Sequence, residues 1–159
     1  MINKRQLTDL VEDTLEEIQM KSTNAVNLVL ETIAQESALG TYLKQLGTGP
    51  AKGISQMEPF THKDYWLNYI RFKPELVKYL LSITSTRVEI KGVTMPSANE
   101  LVWNLKYAIA MCRVFYRRKP GVIPTTVEGR AAYWKKHYNT HLGAGTIEEY
   151  IKNEQKYLK

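Results

Sequence analysis

One carboxylate at the end of an apolar helix is the group in this chain best placed to do chemistry. Glu36 sits in Gln35-Glu36-Ser37-Ala38-Leu39-Gly40, and a glycine-spaced segment follows it, ending in Gly53-Ile54-Ser55-Gln56. Ile33 and Val29 precede Glu36 at helical spacing, so the acid continues a buried stripe. Burial disfavours the charged carboxylate and raises its pKa, which a proton donor working near neutral pH requires. Glycines in the following loop let backbone approach a ligand closely. The combination points to acid catalysis.

Other chemistries find less support. His137 and His141 are four residues apart, a spacing that can bind zinc on a helix, but there is no His-Glu-x-x-His pattern and no thiolate partner. Gly47-Thr48-Gly49 lacks the Gly-Lys-Ser/Thr ending of a phosphate loop, and no nucleophile-elbow sequence is present. Cys112, the one cysteine, excludes an intramolecular disulfide and falls in line with Leu101, Leu105, Ala108 and Phe115 as a packing thiol. No metal or other cofactor is expected.

The elements that must position Glu36 are mostly helices. Leu7, Leu10, Val11, Thr14 and Ile18 form one stripe of an N-terminal helix over about 4–21, within an N-terminal segment 1–22. Asn24 is expected to cap a second helix that runs to about Leu39 and stops at Gly40. Residues 41–60 carry Gly47, Gly49, Pro50, Gly53 and Pro59 and read as a loop or a small irregular sheet. Thr61 is the expected cap of a short helix, and another begins near Pro74 and runs to Leu81. Alternation over 87–93 suggests one short strand. Ser97 with Glu100, Thr125 with Glu128 and Thr146 with Glu149 have capping-box spacing, which predicts helices over roughly 98–117, 126–138 and 147–157. The expected architecture is a single mainly α domain over 1–159.

Composition is consistent with that. Hydrophobic residues make up 43% and charged residues 24%, ordinary for a packed globular protein. The longest apolar run, around Ala108 to Cys112, is far shorter than the ~20 residues a bilayer span needs. A net charge of +6 suits an anionic partner such as a cell-wall polymer, a nucleic acid or a membrane surface, and equally suits a modestly basic surface. Arg117-Arg118-Lys119 is the densest basic cluster and is too short for a nucleic-acid arm.

Gln-Glu-Ser at a helix end, then a glycine-containing loop, then Gly-x-x-Gln, resembles the soluble lytic transglycosylases and goose-type lysozymes. The pattern of that family is Glu-Ser, then Gly-Leu-Met-Gln, then Ala-Tyr-Asn-Ala-Gly. Here the first two elements are Glu36-Ser37 and Gly53-Ile54-Ser55-Gln56, with Ser55 in place of Met. The third is matched by Tyr138-Asn139, followed by Thr140-His141 where the family has Ala-Gly, and Ala132-Tyr133 competes with it. The similarity spans roughly 24–143, and Asn104 falls in the helix that usually precedes the third motif.

The resemblance implies a lysozyme-like fold and cleavage of the bond between N-acetylmuramic acid and N-acetylglucosamine. Glu36 would protonate the bridging oxygen as an oxocarbenium-like centre develops, then act as base toward the muramic acid 6-hydroxyl, so one carboxylate suffices. A hydrolase would need a second acid ~5–5.5 Å away for retention or ~6.5–9.5 Å for inversion. Candidates are Glu31, Glu58 and Asp64, of which Glu31 is turned about 140° from Glu36 on the same helix and Glu58 is best placed to reach the cleft. The implied substrate contacts are Ser37 near the sugar or behind Glu36, Gly53 passing close to a sugar, Gln56 on the N-acetyl group, Tyr138 with its hydroxyl on Glu36, and Asn139. Of the aromatics near the motifs, Tyr42, Phe60, Tyr65, Trp66, Tyr133 and Trp134, the loop residues Tyr42 and Phe60 are the preferred sugar-stacking rings.

The expected enzyme is therefore a peptidoglycan-cleaving lytic transglycosylase or muramidase whose partners are glycan strands. The N-terminus, Met1-Ile2-Asn3-Lys4-Arg5, leads into an amphipathic segment rather than the apolar region of a signal peptide. With the small size, that suggests a bacteriophage protein, either virion-associated beside other virion proteins or an endolysin in the host cytoplasm before release. Two readings from other classes stand beside it: a non-catalytic structural virion protein of the same fold, and a basic helical nucleic-acid binder.

Overall fold

Asn3 starts the first helix: its side chain accepts a hydrogen bond from the Gln6 N–H and satisfies one of the free donors of the opening turn. This is a computed structural model describing residues 1–159. Helix α1, Lys4–Glu17, buries Leu7, Val11, Thr14 and Leu15. It ends four residues earlier than its stripe suggested, because Ile18 closes the last turn and Gln19 turns left-handed at φ 57°.

Ser22, not Asn24, caps α2, Thr23–Ser37: its hydroxyl accepts from the Ala25 N–H. A serine just outside the helix, in extended conformation, can reach back to that donor, whereas Asn24 already lies inside the first turn. From Ala25 to Ala34 this helix is buried with the single exception of Asn27, the pattern of a central helix rather than a surface one. It packs against α1 and against three later helices: α6, Leu105–Arg118; α7, Val127–Trp134; and α8, Ile147–Leu158. It stops where Ala38, Leu39 and Gly40 all take positive φ.

Residues 41–57 form a small irregular ribbon in which Lys52 bridges both Lys44 and Met57. Helix α3, Pro59–Asn68, begins at Pro59 rather than at a Thr61 cap; proline suits the first turn because its missing N–H would be unpaired there anyway. A 3₁₀ turn, Ile70–Phe72, leads to α4, Pro74–Ser82. The single strand expected over 87–93 is a hairpin. Strands β1, Val88–Ile90, and β2, Val93–Met95, pair antiparallel, and Lys91-Gly92, both at positive φ, make the tight turn between them.

The helix expected over 98–117 is broken in two. Glu100 does not close a capping box with Ser97; it opens α5, Glu100–Trp103, and its carboxylate accepts from the backbone N–H groups of Ser85 and Thr86. Asn104 then caps α6 by accepting from the Tyr107 N–H and anchors it by donating to the Ile83 carbonyl. Thr126 caps α7, one residue beyond the expected Thr125. A turn of π-helix, Lys135–Asn139, follows, and Thr146 with Glu149 makes the expected capping box of α8. The molecule is mainly α, with 59% of its residues helical and one two-stranded sheet. Its core of 31 buried residues is centred on α2 and α6, and a satellite of Ala131, Trp134 and Tyr150 joins α7 to α8.

Candidate functional site

The end of α2, the ribbon, the start of α3 and the 138–145 segment surround an open cavity of about 700 Å³. Gln35 and Glu36 form one wall and Tyr42, Gln56 and Glu58 line the ribbon side. Phe115, Tyr138 and Asn139 also line the cavity.

Glu36 is the chemical centre. Its Oε1 accepts a 2.9 Å hydrogen bond from the Trp134 indole N–H. Its Oε2 has no protein partner and is not a buried atom, so it opens on the cavity. Burial raises the Glu36 pKa to about 7, only partly offset by the Trp134 hydrogen bond, and no cation pairs with it. Tyr42 lies alongside, donating to the Glu36 backbone carbonyl at 2.9 Å, and its own pKa is raised by burial and then by the nearby acid.

Several expected ligand contacts are instead contacts that hold the protein together. Ser37 is fully buried; its hydroxyl lies 2.7 Å from the Ile54 carbonyl it donates to and accepts from the Gly40 N–H, so it ties the helix end to the ribbon and cannot reach a sugar. Gly53, at φ 80°, is needed because a Cβ would collide with the Leu101 backbone carbonyl, not because a ligand passes. Phe60 is 73% exposed on the first turn of α3 and outside the cavity wall. Tyr138 lines the cavity, but its hydroxyl donates to the Ser55 carbonyl at 2.6 Å rather than to Glu36. The indole of Trp134 takes the orienting role expected of that tyrosine. Gln56 stays at the cavity, with its amide donating to the Gly53 carbonyl at 2.9 Å and its side-chain oxygen free.

The two candidates for the third element lie in different places. Tyr138-Asn139 stands on the cavity, whereas Tyr133 donates to the Pro120 carbonyl elsewhere and Ala132 is exposed. Tyr65 and Trp66 are core: the former bonds the Phe115 carbonyl and the latter the Tyr107 hydroxyl. Among the acids, Asp64 is engaged by Arg118 at 2.8 Å and is not on the cavity. Glu31 is held by Arg130 and Tyr150 inside the helix packing. Glu58 alone joins Glu36 on the cavity, exposed and without an ion pair. His137 packs its ring against Tyr133, and no three His, Cys, Asp or Glu side chains are arranged to hold a metal.

Sequence reasoning missed the far wall. Lys135 donates to Asn139 Oδ1 at 2.7 Å and to the carbonyls of Gly143 and Gly145 at 3.1 and 2.7 Å, which pins the 139–145 loop over Trp134. A Cβ on Gly145 would stand 2.7 Å from the Trp134 ring, so glycine is required where the loop crosses the indole that holds Glu36. The signal available was Gly143-Ala144-Gly145 ahead of the Thr146 cap. Gln35, which accepts from Asn153 of α8, was likewise overlooked as a wall residue.

Compared with known proteins, the chain matches no protein family, no curated protein and no solved structure.

Proposed function

We propose that this protein is a peptidoglycan-cleaving glycosidase of lysozyme-like fold, acting as a lytic transglycosylase on the bond between N-acetylmuramic acid and N-acetylglucosamine. The observation that carries the reading is Glu36: an uncompensated carboxyl with pKa about 7, one oxygen fixed by Trp134 and the other open to a polar cavity. Near neutral pH such a group is populated in both the acid and base forms that a two-step proton transfer uses. In the first step Glu36 gives its proton to the glycosidic oxygen as the C1–O bond breaks. In the second the carboxylate takes the proton of the muramic acid 6-hydroxyl as that oxygen bonds to C1, closing a 1,6-anhydro ring. The cavity is of the size that holds a sugar-sized ligand. Gln56 and Asn139 offer amides to N-acetyl groups there, and Tyr42 and Tyr138 offer rings to sugar faces.

Glu58 favours a second reading, a hydrolase in which it activates water, because it shares the cavity and has no counter-ion. Mass spectrometry of purified sacculi after digestion separates the two. Anhydro-muropeptides from the wild type, lost by about 10³-fold in Glu36→Gln and kept in Glu58→Gln, are expected. Reducing muramic acid ends, lost in both variants, would replace transglycosylation with hydrolysis. No products from the wild type would leave a non-catalytic structural protein.

A further inference from the structure

A second cavity, about 430 Å³, opens between the N-terminus of α2, the last turns of α6 and the loop after it. Arg113, Arg117 and Lys119 line it, with Ser22 and Asn24 of α2 and the ring of Tyr133; no Asp or Glu does. The basic cluster in the sequence is thereby divided. Arg118 turns away to pair with Asp64 and lie over Tyr65, while Arg117 and Lys119 border the cavity with no carboxylate partner.

Arg113 is the decisive residue. It is only 6% exposed, and its Nε donates to the Met20 carbonyl at 2.9 Å. The two terminal nitrogens have no protein acceptor, yet neither is a buried atom. The edge of its guanidinium therefore keeps some surface, and Arg113 lines the cavity. Burying a cation without a counter-charge is costly, and proteins rarely leave one so. Burial, and then the neighbouring Arg117, already lower the Arg113 pKa; burial and then Arg118 do the same to Lys119.

We propose that this cavity binds a phosphate group, as inorganic phosphate or as a small phosphate monoester. A guanidinium edge can pair two oxygens of one anion side by side, leaving further oxygens for Arg117 and Lys119. The site stands at the start of a fifteen-residue helix, whose first N–H groups and dipole favour negative charge. Three cations suit a dianion better than a single carboxylate. Val122, Ile123 and the Tyr133 ring add an apolar wall that can take the organic part of an ester. The site is independent of Glu36 and of glycan cleavage.

Amide NMR titrations of the intact protein with inorganic phosphate and, in parallel, glycerol 3-phosphate, at ionic strength held constant with sodium chloride, test the proposal. Saturable shifts at Thr23, Asn24 and Gly121 are expected, with tighter binding of the ester if the apolar wall is used and equal binding if phosphate alone is read. Arg117→Gln, at an exposed position, should weaken binding about tenfold, as expected for loss of one charge-assisted contact. Arg113→Lys keeps the charge but loses the fork and should weaken it similarly; if that variant does not fold, Arg117→Gln combined with Lys119→Gln decides. Shifts that never saturate, or that persist unchanged in Arg117→Gln, overturn the proposal. So does steeply salt-dependent binding of an oligonucleotide without any response to the small phosphates, which would assign the patch to a polymer.

Discussion

Glu31 and Glu36 lie five residues apart on the same helix, Glu31 buried and Glu36 partly buried with one oxygen open to the cavity, and their surroundings are opposites. Glu31 meets the Arg130 guanidinium through two hydrogen bonds, at 2.8 and 2.7 Å, and accepts a third from the Tyr150 hydroxyl. Burial raises the Glu31 pKa against the opposing Arg130 and Tyr150 hydrogen bonds, and the same Glu31 contact raises the Arg130 pKa; a guanidinium fork donating to both carboxylate oxygens holds the pair as ions. Glu36 has a single neutral donor and no cation, so burial dominates and the proton is retained to about pH 7. A balanced carboxylate ties helices together, and an unbalanced one facing a cavity can exchange a proton. Desolvation is common to both; the partner decides what the group can do.

Removing the balance at Glu31 should have the largest effect. Arg130→Met leaves a buried carboxylate without its cation, and losses of about 3–5 kcal/mol are typical when one member of a buried pair is removed. The side chains of this pair are only 7% and 4% exposed, so solvent can supply little relief. Urea denaturation at neutral pH should show that loss, and Glu31→Gln combined with Arg130→Met should recover much of it. If the single variant were as stable as the wild type, the pair would not be the tie between α2 and α7.

The imbalance at Glu36 should appear as a pH dependence of stability. Its pKa rises from an ordinary 4.5 to about 7 on folding, so the folded state holds the proton more tightly than the unfolded chain. Stability from this group is then fully present below about pH 4.5 and lost as pH rises through about 7. The linkage amounts to about 3 kcal/mol between those limits. Denaturation of the wild type and of Glu36→Gln at pH 5 and pH 8 checks the sign. Relative to the glutamine variant, the wild type should lose stability at the higher pH; a parallel pair of curves would mean that folding does not raise the Glu36 pKa.

How much of this contrast could be read beforehand follows from the range of the interactions. The helical stripe through Val29 and Ile33 is local, and it located Glu36 and turned Glu31 away from it. The break at Asn104 and the Arg130 pairing involve contacts 21 and 99 residues apart, which no periodicity reports. Ser37 and Gly53 have the residue types of a binding site because close backbone packing needs the same types. Only the fold separates them: each faces protein on the side where a ligand was expected. The second cavity was half legible, since the sequence showed Arg117-Arg118-Lys119 but not that Arg113, one turn earlier, is buried beside them without a carboxylate.

Trp134→Phe sharpens the comparison with the smallest change. The indole N–H is the only hydrogen bond to the Glu36 carboxyl, and it favours the charged form. Phenylalanine preserves an aromatic ring against Tyr150, whose ring centre lies 5.2 Å away, but cannot donate. The Glu36 pKa should therefore move further above 7, followed directly by ¹³C NMR titration of its carboxyl whether or not the protein turns over a glycan. If Glu36 is the catalytic acid, the alkaline limb of the pH–rate profile should move upward with it. The rate below that limb should fall about tenfold, because the carboxyl loses the one contact fixing its direction. A purely structural tryptophan predicts a different pair of results, lower stability with an unaltered Glu36 titration, and that pattern would move the orienting role away from Trp134.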